Sequence, residues 1–294
     1  MKVELFVSFF HELSTLVGAE HLKQIMALSA VEYKQTVAVQ RYQVVEIAKK
    51  LAYLQETQNS ELLRSYKYLL IAAIIIKNWS KLNPKEESLL AIQYQAYLQR
   101  IYRFITDKED INLDNMDIFW KELAIARLQI FPLYAGVAEF YSGFGIRQGL
   151  TLNIKESLRF LFYLSQVKFV RKAYYKVHTH TPIVSHFSEE GWRRSYLQLA
   201  QMLIHNKAIR GVIRGSWFFD PEIKKISPHL SYLQALPLQH GAKAFYIGPD
   251  KSGCAFVTSK NRLELYRAGE YTPKNYLLVW PREAIICWAN SIIK

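Results

Sequence analysis

Cysteine is scarce in this 294-residue chain, which has only Cys254 and Cys287. Two thiols cannot form a disulfide framework, and such a composition is typical of a reducing compartment, so we expect a cytoplasmic protein. The N-terminus reaches Glu4 too soon to form a secretory signal peptide. The longest apolar run, Leu69 to Ile76, is far shorter than the roughly 20 residues of a membrane-spanning helix. We therefore expect no transmembrane segment.

Several catalytic signatures are missing from the sequence. It contains no Gly-x-x-x-x-Gly-Lys-Ser/Thr phosphate loop, no Gly-x-Gly-x-x-Gly, no Gly-x-Ser-x-Gly and no His-Glu-x-x-His. The paired Cys-x-x-Cys of a zinc ribbon is also absent. So is the Arg/Gln-x-x-Gly-x-Gly/Ala turn expected of the common acyl-coenzyme-A transferases. The sequence therefore identifies no cofactor and no metal.

Glycine and proline are scarce in the first 175 residues, which hold five of the twelve glycines and two of the nine prolines. Apolar residues recur there every three to four positions, as in amphipathic helices. Caps and apolar spacing predict six helices, at residues 3–17, 19–56, 62–76, from Asn83-Pro84 to about 105, 116–130 and 153–177. The segment 62–76 is apolar enough to occupy the centre of a helical bundle.

The composition changes near Pro182, because most of the glycines and prolines lie beyond it. Runs of β-branched and aromatic residues there predict strands at 209–219, 242–248, 254–258 and 276–280, separated by helices. We therefore expect an α+β fold in which an N-terminal all-α bundle of about six helices packs on a smaller C-terminal α/β domain with a short mixed sheet. The predicted domains are a helical one, 1–177, and a basic α/β one, 178–294.

The formal net charge of +13 is large for a chain of this length. Residues 1–175 carry +5 of it and the shorter remainder carries +8. An excess of this size attracts nucleic acid, an anionic membrane surface, a phosphorylated small molecule or an acidic protein. An anionic partner is therefore expected at the C-terminal domain.

The strand predicted at 209–219 carries two arginines among apolar residues. If its side chains alternate regularly, Arg210, Arg214 and Ser216 share one face. Buried guanidinium groups require an anionic counterpart, and their planar fork suits a phosphate or a carboxylate. The alternative counterparts are acidic side chains near the ends of the strand, namely Glu189, Glu190 and Asp220.

A second predicted anion site lies at Ser259 and Arg262, where a helix begins. A capping box would have an acidic residue at position 262, and cations in a first turn oppose the helix dipole. A bound anion would reverse that effect, whereas the alternative is a plain serine cap. In the following turn, Tyr271 and Tyr276 could flank a flat ligand, although a structural turn is the simpler interpretation.

Histidine is concentrated in one region, because six of the eight lie between His178 and His240. A general base is predicted among His186, His229 and His240, with Asp220 or Glu190 as a carboxylate that orients it. The spacing of His178, His180 and His186 would also suit a metal ion, but neither an acid nor a cysteine at close spacing completes the set. No metal site is therefore predicted.

Cationic and aromatic side chains alternate along residues 155–176. Such a helix could lie on RNA or on an anionic membrane surface. The alternative is burial between the two domains, with the lysines extended towards solvent.

These features together predict a cytoplasmic group-transfer enzyme, a transferase that binds an anionic, phosphate-bearing substrate such as an acyl donor in its C-terminal domain. Arg210, Arg214 and Arg262 would bind the anion, Ser259 would assist, and a histidine would move protons. The alternative is a non-enzymatic binder whose basic surface docks on nucleic acid, an anionic membrane or an acidic protein. A helical interaction protein is a third possibility. The sequence predicts no oligomeric state.

Overall fold

A computed structural model describes residues 3–30, 44–57, 60–82, 89–107, 112–141, 153–166 and 173–293. The chain divides into two compact units, Met1–Leu133 with His180–Ser185, and Tyr134–Thr179 with His186–Lys294. The α+β class is confirmed, since helices dominate the N-terminal part and a mixed sheet occupies the C-terminal part. The division into a helical domain, 1–177, and a basic α/β domain, 178–294, stays a prediction.

The first unit is built mainly from helices. They are α1 (Val3–Val17), α2 (Ala19–Ala30), α3 (Val45–Glu56), α4 (Ser60–Lys77), α5 (Trp79–Leu82), α6 (Leu89–Asp107) and α7 (Met116–Ala126), followed by the short strand β1 (Ile130–Pro132). The first helix ends as predicted at Gly18, which adopts a φ of 76°. The centre of the predicted helix 19–56 and the Asn83-Pro84 helix start lie outside the described residues.

Helix α4 is the core of the first unit. Its residues from Ser65 to Ile75 are all buried, and it packs against α1, α2, α3 and α7. A helix that is apolar on every side must be surrounded by other elements, as was predicted for 62–76. The prediction of a central helix is confirmed.

The second unit alternates strands and helices. Its elements are β2 (Val137–Tyr141), α8 (Ile154–Gln166), β3 (Ala173–His178), α9 (Glu189–His205), β4 (Ile209–Ser216), α10 (Ile223–Ile226), α11 (Tyr232–Gln239), β5 (Lys243–Pro249), α12 (Cys254–Val257), α13 (Lys260–Arg267), β6 (Lys274–Pro281) and α14 (Arg282–Ile293). A turn of 3-10 helix, Trp217–Phe219, follows β4 directly. Most of the helices and strands predicted after residue 188 are thereby confirmed, with small differences in length.

The strands of the second unit hydrogen-bond in the order β2-β3-β4-β6-β5. The β3–β4 pair is parallel and the other pairs are antiparallel. One face of this sheet packs under α8, where Phe160 lies 5.1 Å from Phe245 between ring centres. The opposite face packs against α9 and α14, where the Trp280 ring lies between those of Tyr196 and Trp288. The sheet is therefore covered on both faces.

Three secondary-structure predictions are wrong. The helix expected at 153–177 is capped by Asn153 as predicted, but Ala173–His178 forms β3, because Tyr174 and Tyr175 pair with neighbouring strands. The helix expected at 116–130 ends at Ala126, and Ile130 begins β1. The strand expected at 254–258 is the short helix α12, which begins after a glycine with a φ of 72°.

Candidate functional site

Arg214 extends from β4 into an aromatic cluster of the second unit and is only 2% exposed. Its guanidinium carbon lies 3.8 Å from the ring centre of Trp192, the fourth residue of α9. It also lies 5.6 Å and 5.5 Å from the ring centres of Phe218 and Phe219 in the 3-10 turn. Ser216 caps that turn by accepting a hydrogen bond from the Phe218 amide. We call these three rings and Arg214 the Arg214 cluster.

The guanidinium of Arg214 is incompletely bonded. Its Nη2 donates to Oγ1 of Thr179 over 3.3 Å, whereas Nη1 has no hydrogen-bond partner. Within the described part of the chain, no carboxylate forms an ion pair with it, so Glu189, Glu190 and Asp220 are not its counterparts. Burial lowers the pKa of Arg214, and the nearby Tyr196 and Tyr232 hydroxyls oppose that shift. The arginine therefore brings a charge into the interior without a matching anion.

Two further buried polar atoms next to Arg214 have no partner. They are the indole nitrogen Nε1 of Trp192 and the hydroxyl of Tyr196, whose rings lie 5.7 Å apart; the Tyr196 hydroxyl is close enough to Arg214 to stabilise the charge of the guanidinium. An indole N–H can only donate, and so can a guanidinium. The cluster therefore offers more hydrogen-bond donors than its own residues satisfy.

Arg210 does not share a face with Arg214, so the prediction of a common face is wrong. Ala173 of β3 pairs with Ile209, but Tyr175 pairs with Val212, so β4 contains one extra residue in a bulge. Ile209 and Val212 consequently lie on the same face, and Arg210 points to the opposite one. The electrostatic interaction of Arg210 with Tyr174, which lies in the core under α8, agrees with this placement.

Arg262 is 2% exposed and is bonded entirely to neutral oxygens. It donates to the Ala255 carbonyl over 2.6 Å, to Ser227 Oγ over 2.9 Å and to Thr258 Oγ1 over 2.8 Å. Its own amide donates to Ser259 Oγ, which caps α13. Anion binding by Ser259 and Arg262 stays a prediction, while the bonds just described use both side chains to hold α12 and α13 in place.

Arg214 and Arg262 contact neighbouring rings of the same 3-10 turn. Arg262 lies 4.8 Å from the Trp217 ring centre, and the Trp217 and Phe218 rings are 4.1 Å apart. The structure thus brings these two arginines to one segment of the chain, while Arg210 lies on the other face of the sheet.

Asp220 is fully buried and holds the turn after β4 against β6. One of its oxygens accepts from the Glu222 amide over 3.1 Å, and the other accepts from the Lys274 amide over 3.1 Å and from the Tyr271 hydroxyl over 3.4 Å. Burial raises the pKa of Asp220, and the two backbone bonds oppose that shift. Tyr271 is itself only 1% exposed. The contacts of both side chains thus lie within the fold, and their predicted site roles stay a prediction.

The three histidines predicted as general bases, His186, His229 and His240, are all exposed, and none of them is among the hydrogen-bond partners of Asp220 described above. His240 follows α11, and its ring centre is 6.2 Å from that of Trp288. His186 lies with its ring centre 4.5 Å from that of Tyr134. The next residue, Phe187, contacts the rings of both Trp192 and Phe218, so His186 adjoins the Arg214 cluster.

A buried polar cluster in the first unit is not among the residues predicted from the sequence. Oε1 of Glu122 lies 2.6 Å from Arg100 Nη2 and 2.7 Å from His180 Nε2. Burial alone would raise the pKa of Glu122, but its interactions with Arg100 and His180 lower it. Burial lowers the pKa of His180 despite its bond to Glu122. The other atoms, Arg100 Nη1, Glu122 Oε2 and His180 Nδ1, have no partner. The available signal was the adjacent pair Lys121 and Glu122 between apolar residues of α7.

Two of the histidines considered as metal ligands, His178 and His180, contact different carboxylates. His178 lies 3.1 Å from Glu139, whereas His180 bonds to Glu122. In the described ranges, no group of three or more His, Cys, Asp or Glu side chains is placed to hold a metal ion.

No described helix has the length and apolar character needed to cross a membrane. The sequence matches no protein-family model, and neither the curated proteins nor the solved structures contain a significant match.

Proposed function

We propose that the second unit binds a small anionic compound at the Arg214 cluster, and that the chain is a group-transfer enzyme acting on that compound. The observation that carries the binding proposal is the buried Nη1 atom of Arg214, which has no partner. An unpaired buried charge costs several kcal/mol, whereas stacking on an aromatic ring returns about 2 kcal/mol. A bound anion would supply the missing interaction.

The surroundings of Arg214 favour a compound with an anionic group and an apolar or planar part. A guanidinium binds phosphate or carboxylate oxygens through parallel hydrogen bonds. The indole N–H of Trp192 and the hydroxyl of Tyr196 are further donors for such oxygens. The rings of Phe218 and Phe219 would pack against the rest of the ligand. A phosphate-bearing donor, as predicted from the sequence, satisfies both requirements.

His186 is the best-placed proton-carrying residue for the group-transfer step. It is exposed, and it directly precedes Phe187, which contacts two rings of the Arg214 cluster. An exposed imidazole next to a bound donor could accept the proton of an incoming nucleophile. His240, which lies against Trp288, is the matched control.

The binding proposal is tested with Arg214→Met, which removes the charge but keeps a side chain of similar length. Thermal unfolding is measured with inorganic phosphate, nucleotides, coenzyme A and simple carboxylates. We expect at least one anion to raise the Tm of the unaltered protein by about 5 °C or more near 100-fold excess over its Kd, and to leave the variant unchanged. An equal rise in both proteins, or no rise with any anion, would contradict the proposal.

Group transfer is tested separately, with the donor that binds. Turnover is measured in the unaltered protein, in His186→Asn and in His240→Asn. We expect His186→Asn to lose on the order of 100-fold in kcat, the usual contribution of a general base, and His240→Asn to lose little. If the unaltered protein binds the donor without turnover, the chain is a binding protein and the proposal of group transfer is refuted.

A further inference from the structure

Helix α8 has apolar side chains on two opposite sides. On one side, Phe160, Tyr163 and Leu164 are buried against the sheet. On the other side, four large apolar side chains face solvent, and we call them the α8 stripe. Their exposed fractions are 83% for Ile154, 65% for Leu158, 39% for Leu161 and 66% for Phe162.

The spacing of the α8 stripe makes it one continuous surface. Its residues follow an i, i+4, i+7, i+8 pattern, which at 3.6 residues per turn places them within an arc of about 100°. The centre of this arc is opposite the buried face of α8. An isolated exposed leucine requires no explanation, whereas an aligned patch of a few hundred Å² marks an interaction surface.

The charges next to the α8 stripe favour an anionic partner. Lys155 and Arg159 are exposed along one edge of the arc. Glu156, the single acid of α8, lies on the buried face, where it forms an ion pair with Arg159. A cationic edge beside a leucine- and phenylalanine-rich face is typical of helices that lie on membrane surfaces.

The size of the α8 stripe favours a membrane surface over a second copy of the chain. A stable protein interface buries about 800 Å² on each partner, which is well above the few hundred Å² that four side chains supply. A helix at a membrane surface needs less area, because lipid phosphates add electrostatic attraction of about 1 kcal/mol for each nearby Lys or Arg.

We propose that the α8 stripe docks on a membrane surface that contains anionic lipids. Helix α8 lies parallel to the bilayer, and Ile154, Leu158 and Phe162 enter the boundary between head groups and acyl chains. Lys155 contacts lipid phosphates along the same edge, and the exposed part of Arg159, whose Nη1 pairs with Glu156, lies beside it. The chain is then a peripheral membrane protein, and no part of the docking depends on the Arg214 cluster.

The experiment is co-sedimentation with vesicles of phosphatidylcholine alone, or of phosphatidylcholine with 30% phosphatidylglycerol. We compare the unaltered protein with Leu158→Gln/Phe162→Gln. The matched control is Val184→Gln/Ile247→Gln, which removes two apolar side chains that are 58% and 41% exposed elsewhere. All four substituted positions are exposed, so the core stays intact and circular dichroism should be unchanged.

We expect the unaltered protein and the control to bind the anionic vesicles, and the α8 variant to bind on the order of tenfold or more weakly, because it loses apolar burial. The unaltered protein should bind vesicles of phosphatidylcholine alone more weakly than the anionic vesicles. Three results would overturn the proposal: no binding to anionic vesicles, equal binding by the α8 variant, or a dimer in light scattering that only the α8 variant loses. Arg214→Met should bind vesicles normally, which keeps this test independent of the proposed function.

Discussion

Nε2 of His180 lies 2.7 Å from Oε1 of Glu122, and both side chains are at most 2% exposed. Arg100 reaches the same carboxylate oxygen from α6. Because the carboxylate is paired and the histidine is buried, both groups resist protonation in the folded chain. Acid should therefore weaken the fold at this point.

The first prediction concerns the pH dependence of stability. The pKa of His180 is lowered in the fold, so below its unfolded pKa of about 6.5 the unfolded chain binds a proton that the folded chain does not. The free energy of unfolding should then fall as the pH drops from about 7.5 to about 5.5. In His180→Gln this slope should be shallower. Denaturant titrations at several pH values measure it, with exposed His229→Gln as the control; equal slopes in all three proteins would refute it.

The second prediction compares two buried arginines. Arg262→Met leaves the Ala255 carbonyl and the hydroxyls of Ser227 and Thr258 without their donor, so we expect a loss of about 2–4 kcal/mol. Arg214→Met removes a charge that has one side-chain bond and no anion, so without ligand it should be neutral or stabilising. Urea unfolding distinguishes the two. Equal losses would show that Arg214 is structural.

The third prediction uses two glycines of β4. A Cβ at Gly211 would lie 2.3 Å from the Trp280 carbonyl oxygen, and its φ is 152°, so Gly211→Ala should cost more than about 2 kcal/mol. A Cβ at Gly215 would meet nothing within 4 Å. Gly215→Ala should therefore change the unfolding midpoint little. Similar midpoints for both variants would contradict the close approach of β4 and β6.

The fourth prediction concerns the buried carboxylate of Asp220, at the end of the 3-10 turn that follows β4. In Asp220→Asn, the side-chain N–H₂ group faces one of the two backbone amides that now donate to Asp220. Two donors then face each other, so we expect the free energy of unfolding to fall by about 1–3 kcal/mol. Tyr271→Phe removes only the 3.4 Å bond and should cost less. Thermal unfolding measures both. A larger loss for Tyr271→Phe would mean that the ring, rather than the carboxylate, holds the turn.

Local signals predicted much of the fold, because caps and apolar spacing are set by nearby residues. Gly18, Asn153 and Ser188 mark helix boundaries in the sequence and in the structure. The failure at β3 has a non-local cause, since Tyr174 and Tyr175 are extended only because strands on both sides pair with them. Helical spacing cannot report such partners.

The same distinction applies to the candidate site. Arg214 was predicted because an arginine within an apolar strand is unusual, and its burial agrees with that reasoning. Arg210 lies on the face of β4 opposite Arg214 because of a bulge, and that bulge is visible only in the pairing of β4 with β3. Glu122 and His180 are 58 positions apart in sequence, so their contact required the tertiary structure.

The path of the chain at residues 178–186 limits how the protein can be divided. Thr179 belongs to the second unit and accepts a hydrogen bond from Arg214, while its direct neighbour His180 belongs to the first and bonds to Glu122. The backbone thus passes between the units after residues 133, 179 and 185. Cleavage at one peptide bond cannot yield either unit whole: residues 1–133 would retain Glu122 but lose its imidazole partner, and the complementary piece would carry that imidazole without its carboxylate.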